Sequence, residues 1–146
     1  MARSGTGSNI ADAQLLDETI SLLRELVAFD TTSRNSNLPL IEFVADYLSD
    51  RGATPRRVAS ADGTKSNLFC TIGPDIPGGV VLSGHSDVVP VDGQSWSTDP
   101  FTLTEANGRL FGRGSADMKG FIACALAMTT RFTEMDLQRP VHFAFS

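Results

Sequence analysis

Two amphipathic segments followed by short apolar runs constrain the fold of this chain most strongly. Apolar residues recur at near-helical spacing over 13–29 and again over 39–51, so each segment is predicted to be a helix. Short runs rich in Val, Leu and Phe, bounded by turn residues, predict strands over 67–72, 79–89 and 141–145. Helices that alternate with strands predict an α/β layered fold.

A hairpin and a long helix are predicted between the last two of these strands. The runs 101–104 and 109–111 flank Asn107-Gly108, which is a strong signal for a tight turn between antiparallel strands. Residues 115–135 are apolar almost all round at their centre, so they predict a deeply packed helix. The continuous run Val80-Val81-Leu82 predicts a strand that is buried on both faces.

Composition limits the classes of function. The chain has 146 residues, with 12 Lys and Arg against 17 Asp and Glu and a net charge of −5. Only Arg56 and Arg57 adjoin as a basic pair, which argues against a nucleic-acid partner. No apolar run reaches the roughly 20 residues of a spanning helix, and no signal peptide is recognisable, so we expect no membrane partner and a cytoplasmic location. Cys70 and Cys124 are expected to be buried free thiols.

The end of the strand predicted over 79–89 carries the first candidate site, because Ser83-Gly84-His85-Ser86-Asp87 replaces the apolar residues there. Open α/β sheets bind ligands at the carboxyl ends of their strands. His85 and Asp87 point to the same side of an extended segment, so the carboxylate can hold one ring nitrogen while the other binds a metal. A polar cluster at a strand end is the alternative interpretation. His142 lies among Phe and Val and is expected to be structural.

The second cluster is the segment 112–120, with the sequence Gly-Arg-Gly-Ser-Ala-Asp-Met-Lys-Gly. Asp117 stands where a dinucleotide-binding loop needs glycine, and Lys119 is not followed by the Ser or Thr of a Walker loop, so a phosphate site is disfavoured. The segment 84–88 likewise fails the serine-hydrolase pattern at Val88. Asp117 is then either an acidic residue that the helix dipole favours or a metal ligand.

Taken together, His85 and Asp117 are the beginning of a His/carboxylate site suited to zinc. A carboxylate can also bridge two ions about 3.5–4 Å apart, as in two-metal hydrolases. One imidazole and one carboxylate do not complete a tetrahedral zinc site, so further ligands are needed.

The order of these motifs resembles the di-zinc metallohydrolase family of aminoacylases, carboxypeptidases and desuccinylases. The resemblance runs from about residue 15 to the last residue, and it is carried by Trp96 and the segments 82–90, 99–101, 108–114 and 117–120. It implies a zinc-peptidase-like catalytic domain with a mixed, mostly parallel sheet flanked by helices. Residues 12–146 would be the N-terminal part of that domain, and residues 1–11 a flexible arm.

The resemblance also implies a function. It implies two zinc ions per complete site, with cobalt or manganese as alternatives, and a small N-acyl amino acid as substrate. The loops 31–37 and 91–96 are most similar to those of the deacetylases in the family. Desuccinylases, and aminoacylases or dipeptidases, are the alternatives.

Carried over residue by residue, the resemblance implies that His85 ligates one zinc and that Asp117 bridges both. Asp87 becomes the catalytic-site residue that orients His85, and a cis peptide bond is expected between Asp117 and Met118. In the family, a strand like 141–145 leads into two glutamates, a general base and a zinc ligand, and a lid and dimerisation domain is also present. We therefore expect this chain to be a truncated part, inactive alone, of an enzyme that is a homodimer at full length; a shortened non-catalytic binding module is the alternative.

Overall fold

The computed structural model describes residues 6–146, in which four helices and six strands are found. The helices are α1 (Thr6–Ala28), α2 (Leu38–Asp50), α3 (Lys119–Ala127) and α4 (Thr129–Glu134). The strands are β1 (Arg56–Ala59), β2 (Ser66–Ile72), β3 (Val80–Gly84), β4 (Thr104–Ala106), β5 (Arg109–Phe111) and β6 (Val141–Phe145). The predicted α/β fold is confirmed.

The first helix begins earlier than its apolar pattern predicted. It starts at Thr6 instead of near residue 13, so residues 6–11, expected to belong to a flexible arm, are helical. Residues 1–5 of that arm lie outside the described residues. The Arg131 guanidinium on α4 donates a hydrogen bond of 3.1 Å to the carbonyl of Ala11, and this contact between distant segments has no signature in the local sequence.

The sheet is mixed, as predicted, but it is not mostly parallel within the described residues. Its strand order is β1-β2-β6-β3. The β1–β2 and β2–β6 pairs are antiparallel, and only β3–β6 is parallel. Sequence patterns missed β1, because all four of its residues are exposed and two of them are arginines. Charged, exposed residues are typical of a strand at the edge of a sheet.

The strand β3 lies at the opposite edge, and this position corrects two expectations. It ends at Gly84 instead of continuing to residue 89, and Val80 and Val81 are 59% and 55% exposed instead of being buried on both faces. The sheet order gives β3 a single neighbouring strand, and Val81 pairs with the half-buried His142 instead of a core residue. An apolar run therefore did not distinguish an edge strand from a central one.

Helices cover one face of the sheet and form the core with it. The strand β2 alternates buried and exposed residues, and its inward side chains Leu68 and Cys70 lie opposite Phe145 and Phe143 of β6. Apolar residues of α1, α2 and α3 complete the same buried cluster. Cys124 on α3 is exposed, which corrects the expectation that both thiols are buried; both cysteines are free. None of the described helices is long and apolar enough to cross a membrane.

Two predicted elements differ in their extent. The hairpin is confirmed, with Asn107 and Gly108 at φ values of 53° and 69° in its turn, although β4 begins three residues later than the predicted strand. The helix predicted over 115–135 is two helices that meet at Met128, and its first four residues form turns. These turns contain Asp117, so the candidate carboxylate stands just before α3.

Candidate metal centre

The loop that follows β3 presents His85 and Asp87 because the residue between them is anchored in the interior. Ser86 is fully buried, and its hydroxyl donates a hydrogen bond of 2.7 Å to the carbonyl of Ser146 and accepts one of 3.2 Å from Asn37 Nδ2. The Ser86 carbonyl accepts a hydrogen bond from the Thr31 hydroxyl at 2.6 Å. With Ser86 turned inward, its two neighbours both line a surface cleft of about 210 Å³.

Both nitrogens of the His85 ring face oxygen atoms. Nδ1 lies 3.0 Å from the carbonyl oxygen of Asp87 and 3.1 Å from its carboxylate Oδ1, and Nε2 lies 2.9 Å from Asp117 Oδ1. Burial lowers the pKa of His85, but the hydrogen bonds with Asp87 and Asp117 and the negative charges of both carboxylates outweigh it, so the pKa lies above its ordinary value. The structure thus brings together all three residues that the sequence selected.

Asp117 is held on a turn built by glycine and by the start of α3. Gly114 has a φ of +80°, and a Cβ atom there would lie 2.6 Å from Val88 Cγ1. The Gly114 carbonyl accepts a hydrogen bond of 2.8 Å from the backbone N–H of Lys119. The expected cis peptide bond between Asp117 and Met118 is present. The turn leaves the Asp117 side chain 86% exposed at the mouth of the cleft.

Lys119 ties this turn to the end of α1. Its side chain is fully buried, and Nζ donates a hydrogen bond of 2.7 Å to the carbonyl of Phe29. Burial lowers the pKa of Lys119 to about 8, although the nearby charge of Asp30 acts in the opposite direction. A buried lysine is rare in proteins, and here it joins two segments that are 90 residues apart.

Asp87 is fixed by the loop between α1 and α2. The hydroxyl of Ser33 donates a hydrogen bond of 2.5 Å to Asp87 Oδ2. This hydrogen bond is the largest influence on the pKa of Asp87 and holds it below its ordinary value; the positive charges of His85 and Lys65 act in the same direction. The carboxylate is therefore engaged at both oxygens, by Ser33 on one side and by His85 on the other.

An arginine and a tryptophan stand beside the cleft. The Arg113 guanidinium lies 4.9 Å from the centre of the Trp96 ring, and it donates a hydrogen bond to the side-chain oxygen of Gln94. Trp96 Nε1 donates to the same oxygen at 3.1 Å. Arg113 lines the cleft together with His85 and Asp117, so it supplies a positive charge to a site that carries two carboxylates.

The donor set at the cleft fits part of a zinc site. An imidazole nitrogen and a carboxylate oxygen are ligands that zinc prefers, and Asp87 occupies the other imidazole nitrogen, which is the usual arrangement of a zinc-bound histidine. Among the described residues, no group of three or more His, Cys, Asp and Glu side chains could hold a metal ion. His85 and Asp117 therefore supply two ligands, and a complete site needs others.

His142 lies elsewhere and plays the structural part expected for it. Its Nδ1 is 2.8 Å from the hydroxyl of Thr71, its Nε2 is 3.1 Å from the carbonyl of Gly78, and its ring stacks on Phe69 at 5.5 Å. Both ring nitrogens are thus occupied on the sheet face opposite the core.

Sequence reasoning did not select Ser33, Lys65 or the burial of Lys119. Ser33 lies in a polar loop, 54 residues from the carboxylate it contacts, and nothing in the local pattern marks its partner.

Residues 81–146 match Peptidase family M20/M25/M40. The acetylornithine deacetylase of Shigella sonnei (strain Ss046) is 38% identical to this chain, over 84% of this chain and 34% of that protein.

Solved structures also resemble this chain in fold. Human carnosine dipeptidase 1 superposes with a TM-score of 0.78 and 29% identity, over 94% of this chain and 33% of that one. The M20 family metallo-carboxypeptidase Sso-CP2 from Sulfolobus solfataricus superposes with a TM-score of 0.76 and 21% identity, over 88% of this chain and 30% of that one, which is a likeness of fold. The chain spans about a third of the length of these relatives.

Proposed function

This chain carries part of a domain of peptidase family M20/M25/M40, and we propose that it forms the first part of the catalytic centre of a metal-dependent amide hydrolase. The reaction we propose is the hydrolysis of N-acetylornithine to ornithine and acetate, a step of arginine biosynthesis. The observation that carries the proposal is the convergence of His85 Nε2 and Asp117 Oδ1 at 2.9 Å in one cleft, with Asp87 on the other imidazole nitrogen.

The residues of this chain have distinct parts in that reaction. His85 Nε2 and Asp117 would be protein ligands of zinc, with two ions in a complete site, or of cobalt or manganese in its place. A bound divalent ion supplies Lewis-acid polarisation of the amide carbonyl. The Asp87 carbonyl, 3.0 Å from His85 Nδ1, would accept the ring proton there and so leave Nε2 free for the metal. Arg113 gives the cleft a cation that suits an anionic substrate group.

The position of β6 supports the expectation that further ligands follow Ser146. The backbone N–H of Ser146 donates to the Gly84 carbonyl at 3.1 Å, and the backbone N–H of Ser86 donates to the Ser146 carbonyl at 2.5 Å. In a longer chain, residues after Ser146 would leave the sheet beside His85. That is where a general base and another carboxylate ligand would reach the cleft.

The choice of substrate rests on the relative that is 38% identical to this chain, which is an acetylornithine deacetylase. The second candidate is a dipeptidase, favoured by the superposition on human carnosine dipeptidase 1 at 29% identity. Desuccinylase and aminoacylase activities are further outcomes of the same assay. We propose a cytoplasmic homodimer at full length, acting on a small N-acyl amino acid, with neither nucleic acid nor membrane as partner.

The test begins with the gene, which is sequenced beyond the codon of Ser146. If the frame continues, the longest product is purified with zinc and assayed on N-acetylornithine, N-succinyl-diaminopimelate and a dipeptide. We expect fastest turnover of N-acetylornithine. His85→Ala and Asp117→Asn should abolish it, whereas the matched control His142→Gln should retain it. Activity that survives loss of His85 would refute the assigned centre, and faster turnover of another substrate would refute the assigned specificity.

The 146-residue chain itself is the second arm of the test. We expect it to be inactive with zinc present, because His85 and Asp117 are two ligands where a hydrolytic centre needs more. Hydrolysis by this purified chain, with contaminating enzyme excluded by the His85→Ala variant, would contradict the proposal. A stop codon directly after Ser146 would favour the shortened binding module instead.

A further inference from the structure

We propose that the outer edge of β3, the side that faces away from β6, is an interaction surface and that its partner is a second copy of this chain. Two β3 strands would pair antiparallel across a two-fold axis and join two four-stranded sheets into one. The inference concerns the 146-residue chain itself and does not rest on the proposed function. It rests on the backbone groups, the apolar side chains and the charges at this edge.

Two residues of β3 point their backbone groups away from β6. The N–H of Val80 donates to the Pro140 carbonyl at 3.1 Å, and the Gly84 carbonyl accepts a hydrogen bond of 3.1 Å from the residue after β6. In a parallel pair, residues that bond to the neighbouring strand alternate with residues whose N–H and C=O point the other way. The outward residues are therefore Val81 and Ser83. Within residues 6–146 their four outward groups have no other partner.

Apolar side chains distinguish this edge from the opposite edge of the sheet. Val80 and Val81 are 59% and 55% exposed, and β3 carries no charged residue. The strand β1 at the other edge carries two arginines, and such charges protect an edge from pairing with another chain. Phe121 of α3 is 37% exposed and lies beside the end of β3, since a Cβ atom at Gly84 would be 3.1 Å from its ring. The outer edge of β3 therefore has the properties of a strand that accepts another strand.

The outward groups of β3 match those of a second β3 that runs antiparallel. When Leu82 of one copy lies opposite Leu82 of the other, Val81 faces Ser83 of the second copy, and such a pair exchanges two N–H···O hydrogen bonds. The two symmetric pairs form four hydrogen bonds and use every outward group of both strands. Leu82 lies on the helix-covered face, beside the buried Phe143, so the two leucines also contact each other there. A two-fold arrangement closes after two copies.

Charges at the two ends of β3 favour the antiparallel arrangement. Asp87 and the 86% exposed Asp117 follow the end of the strand. Near its start, Arg139 donates a hydrogen bond of 3.3 Å to the Pro77 carbonyl and has no ion pair within residues 6–146. Antiparallel pairing brings the start of each β3 beside the end of the other, so Arg139 approaches the carboxylates of the second copy. Asp75 stands at the same end as Arg139, and exposed ion pairs are weak, so the backbone bonds and apolar contacts supply most of the affinity.

The experiment measures mass and amide exchange on the purified chain, from about 5 µM to about 1 mM, because dimer formation depends on concentration. The mass in analytical ultracentrifugation should rise from one copy to two and stop there. Hydrogen exchange at the Val81 and Ser83 amides should slow about tenfold when about nine-tenths of the chain is dimeric, since only free copies exchange there. The Val80 amide is the internal control, because its hydrogen bond to the Pro140 carbonyl is present in both states.

Val81→Pro tests the pairing directly. It removes an outward N–H without removing a hydrogen bond to β6, and proline is tolerated in an edge strand at such a position. It takes away two of the four intermolecular hydrogen bonds, so it should weaken dimerisation at least tenfold. Val81→Lys places a charge at the same position and is measured in parallel, so the result does not depend on how the proline variant folds.

Two variants serve as controls. Val81→Thr retains the N–H and the branched side chain and should dimerise like the wild type. Val58→Lys places the same charge as Val81→Lys on β1, where Val58 is 49% exposed, and should leave dimerisation unchanged. Circular dichroism verifies that every variant is folded.

Several results would overturn the proposal. The mass could stay at one copy or rise past two. The dimer could form while the Val81 and Ser83 amides exchange as fast as in the free copy, which would place the contact on another surface. Slow exchange that does not depend on concentration would mean that a segment of the same chain covers the edge. Undiminished dimerisation of folded Val81→Pro or Val81→Lys would also contradict it. None of these measurements involves zinc or N-acetylornithine, so a failed activity assay leaves the dimer untouched.

Discussion

Replacement of Lys119 by methionine tests whether the buried ammonium beside the metal centre destabilises the fold near neutral pH. The side chain is fully buried, and burial lowers its pKa to about 8, with Asp30 acting in the opposite direction. In the unfolded chain the pKa of a lysine is about 10.4. Methionine has a similar length and no charge, so Lys119→Met removes the titration and leaves the shape of the side chain nearly unchanged.

The size of the effect follows from the two pKa values. Between about pH 8 and 10.4 the unfolded chain binds more protons at Lys119 than the folded chain, so the free energy of unfolding rises with pH there. From pH 7 to pH 10 the wild type should gain about 2.5 kcal/mol from this residue, and Lys119→Met should gain none of it. At pH 7 the variant avoids the free-energy cost of burying a charge. It also leaves the Phe29 carbonyl without its hydrogen-bond donor, which lowers the free energy of unfolding by about 1–3 kcal/mol.

The assay is urea denaturation of both proteins at pH 7, 8, 9 and 10, followed by circular dichroism. The measured quantity is the difference in free energy of unfolding between variant and wild type at each pH. Tyr47 and Cys70, whose pKa values are raised mainly by burial, titrate in both proteins and cancel in this difference. Lys65→Met removes the other lysine of the chain and controls for the loss of a positive charge.

We expect Lys119→Met to be within about 1 to 2 kcal/mol of the wild type at pH 7 and to fall behind it steadily as the pH rises. A difference that stays constant from pH 7 to pH 10 would refute the reasoning, because it would mean that the Lys119 ammonium is as well solvated in the folded chain as in the unfolded one.

Three further outcomes are expected. Gly114→Ala should lower the free energy of unfolding by about 1–3 kcal/mol in a urea titration, because φ is +80° there and the added Cβ would lie 2.6 Å from Val88 Cγ1; an unchanged midpoint would contradict this. Asn37→Ala should cost about 2–4 kcal/mol in the same titration, since its buried amide makes hydrogen bonds in both directions with β2; a loss below 1 kcal/mol would count against it. Cys124 should react with a thiol reagent in the folded chain and Cys70 only after unfolding; equal rates would disprove their different burial.

The elements with a strong local pattern were predictable from the sequence. The helix α2 carries one apolar stripe and ends before Gly52, and it lies within one residue of its predicted bounds. The strand β2 alternates buried and exposed residues along its whole length. Asn107-Gly108 predicted the hairpin because both residues accept a positive φ. In each case a periodicity or a turn residue within one element was sufficient.

The features that depend on neighbouring strands were not predictable in this way. The residues of β3 are as apolar as those of a central strand, and only the sheet order shows that the strand lies at an edge. The exposed strand β1 has no apolar face to detect. The burial of Lys119 and the contact of Ser33 with Asp87 join residues 90 and 54 positions apart, so no local window contains both partners.

The meeting of His85 with Asp117 has a topological cause that neither motif contains. The strands β3 and β6 are parallel neighbours, and α3 lies on the connection between them. A chain that leaves one strand and enters a parallel neighbour must return along the sheet. A helix that makes this return begins near the end of the sheet at which the first strand ended. Asp117 stands two residues before α3 and His85 directly after β3, so the return path places both at the same end of the strands. The hairpin β4–β5 lies between them in sequence and can therefore vary in length while the two ligands remain together.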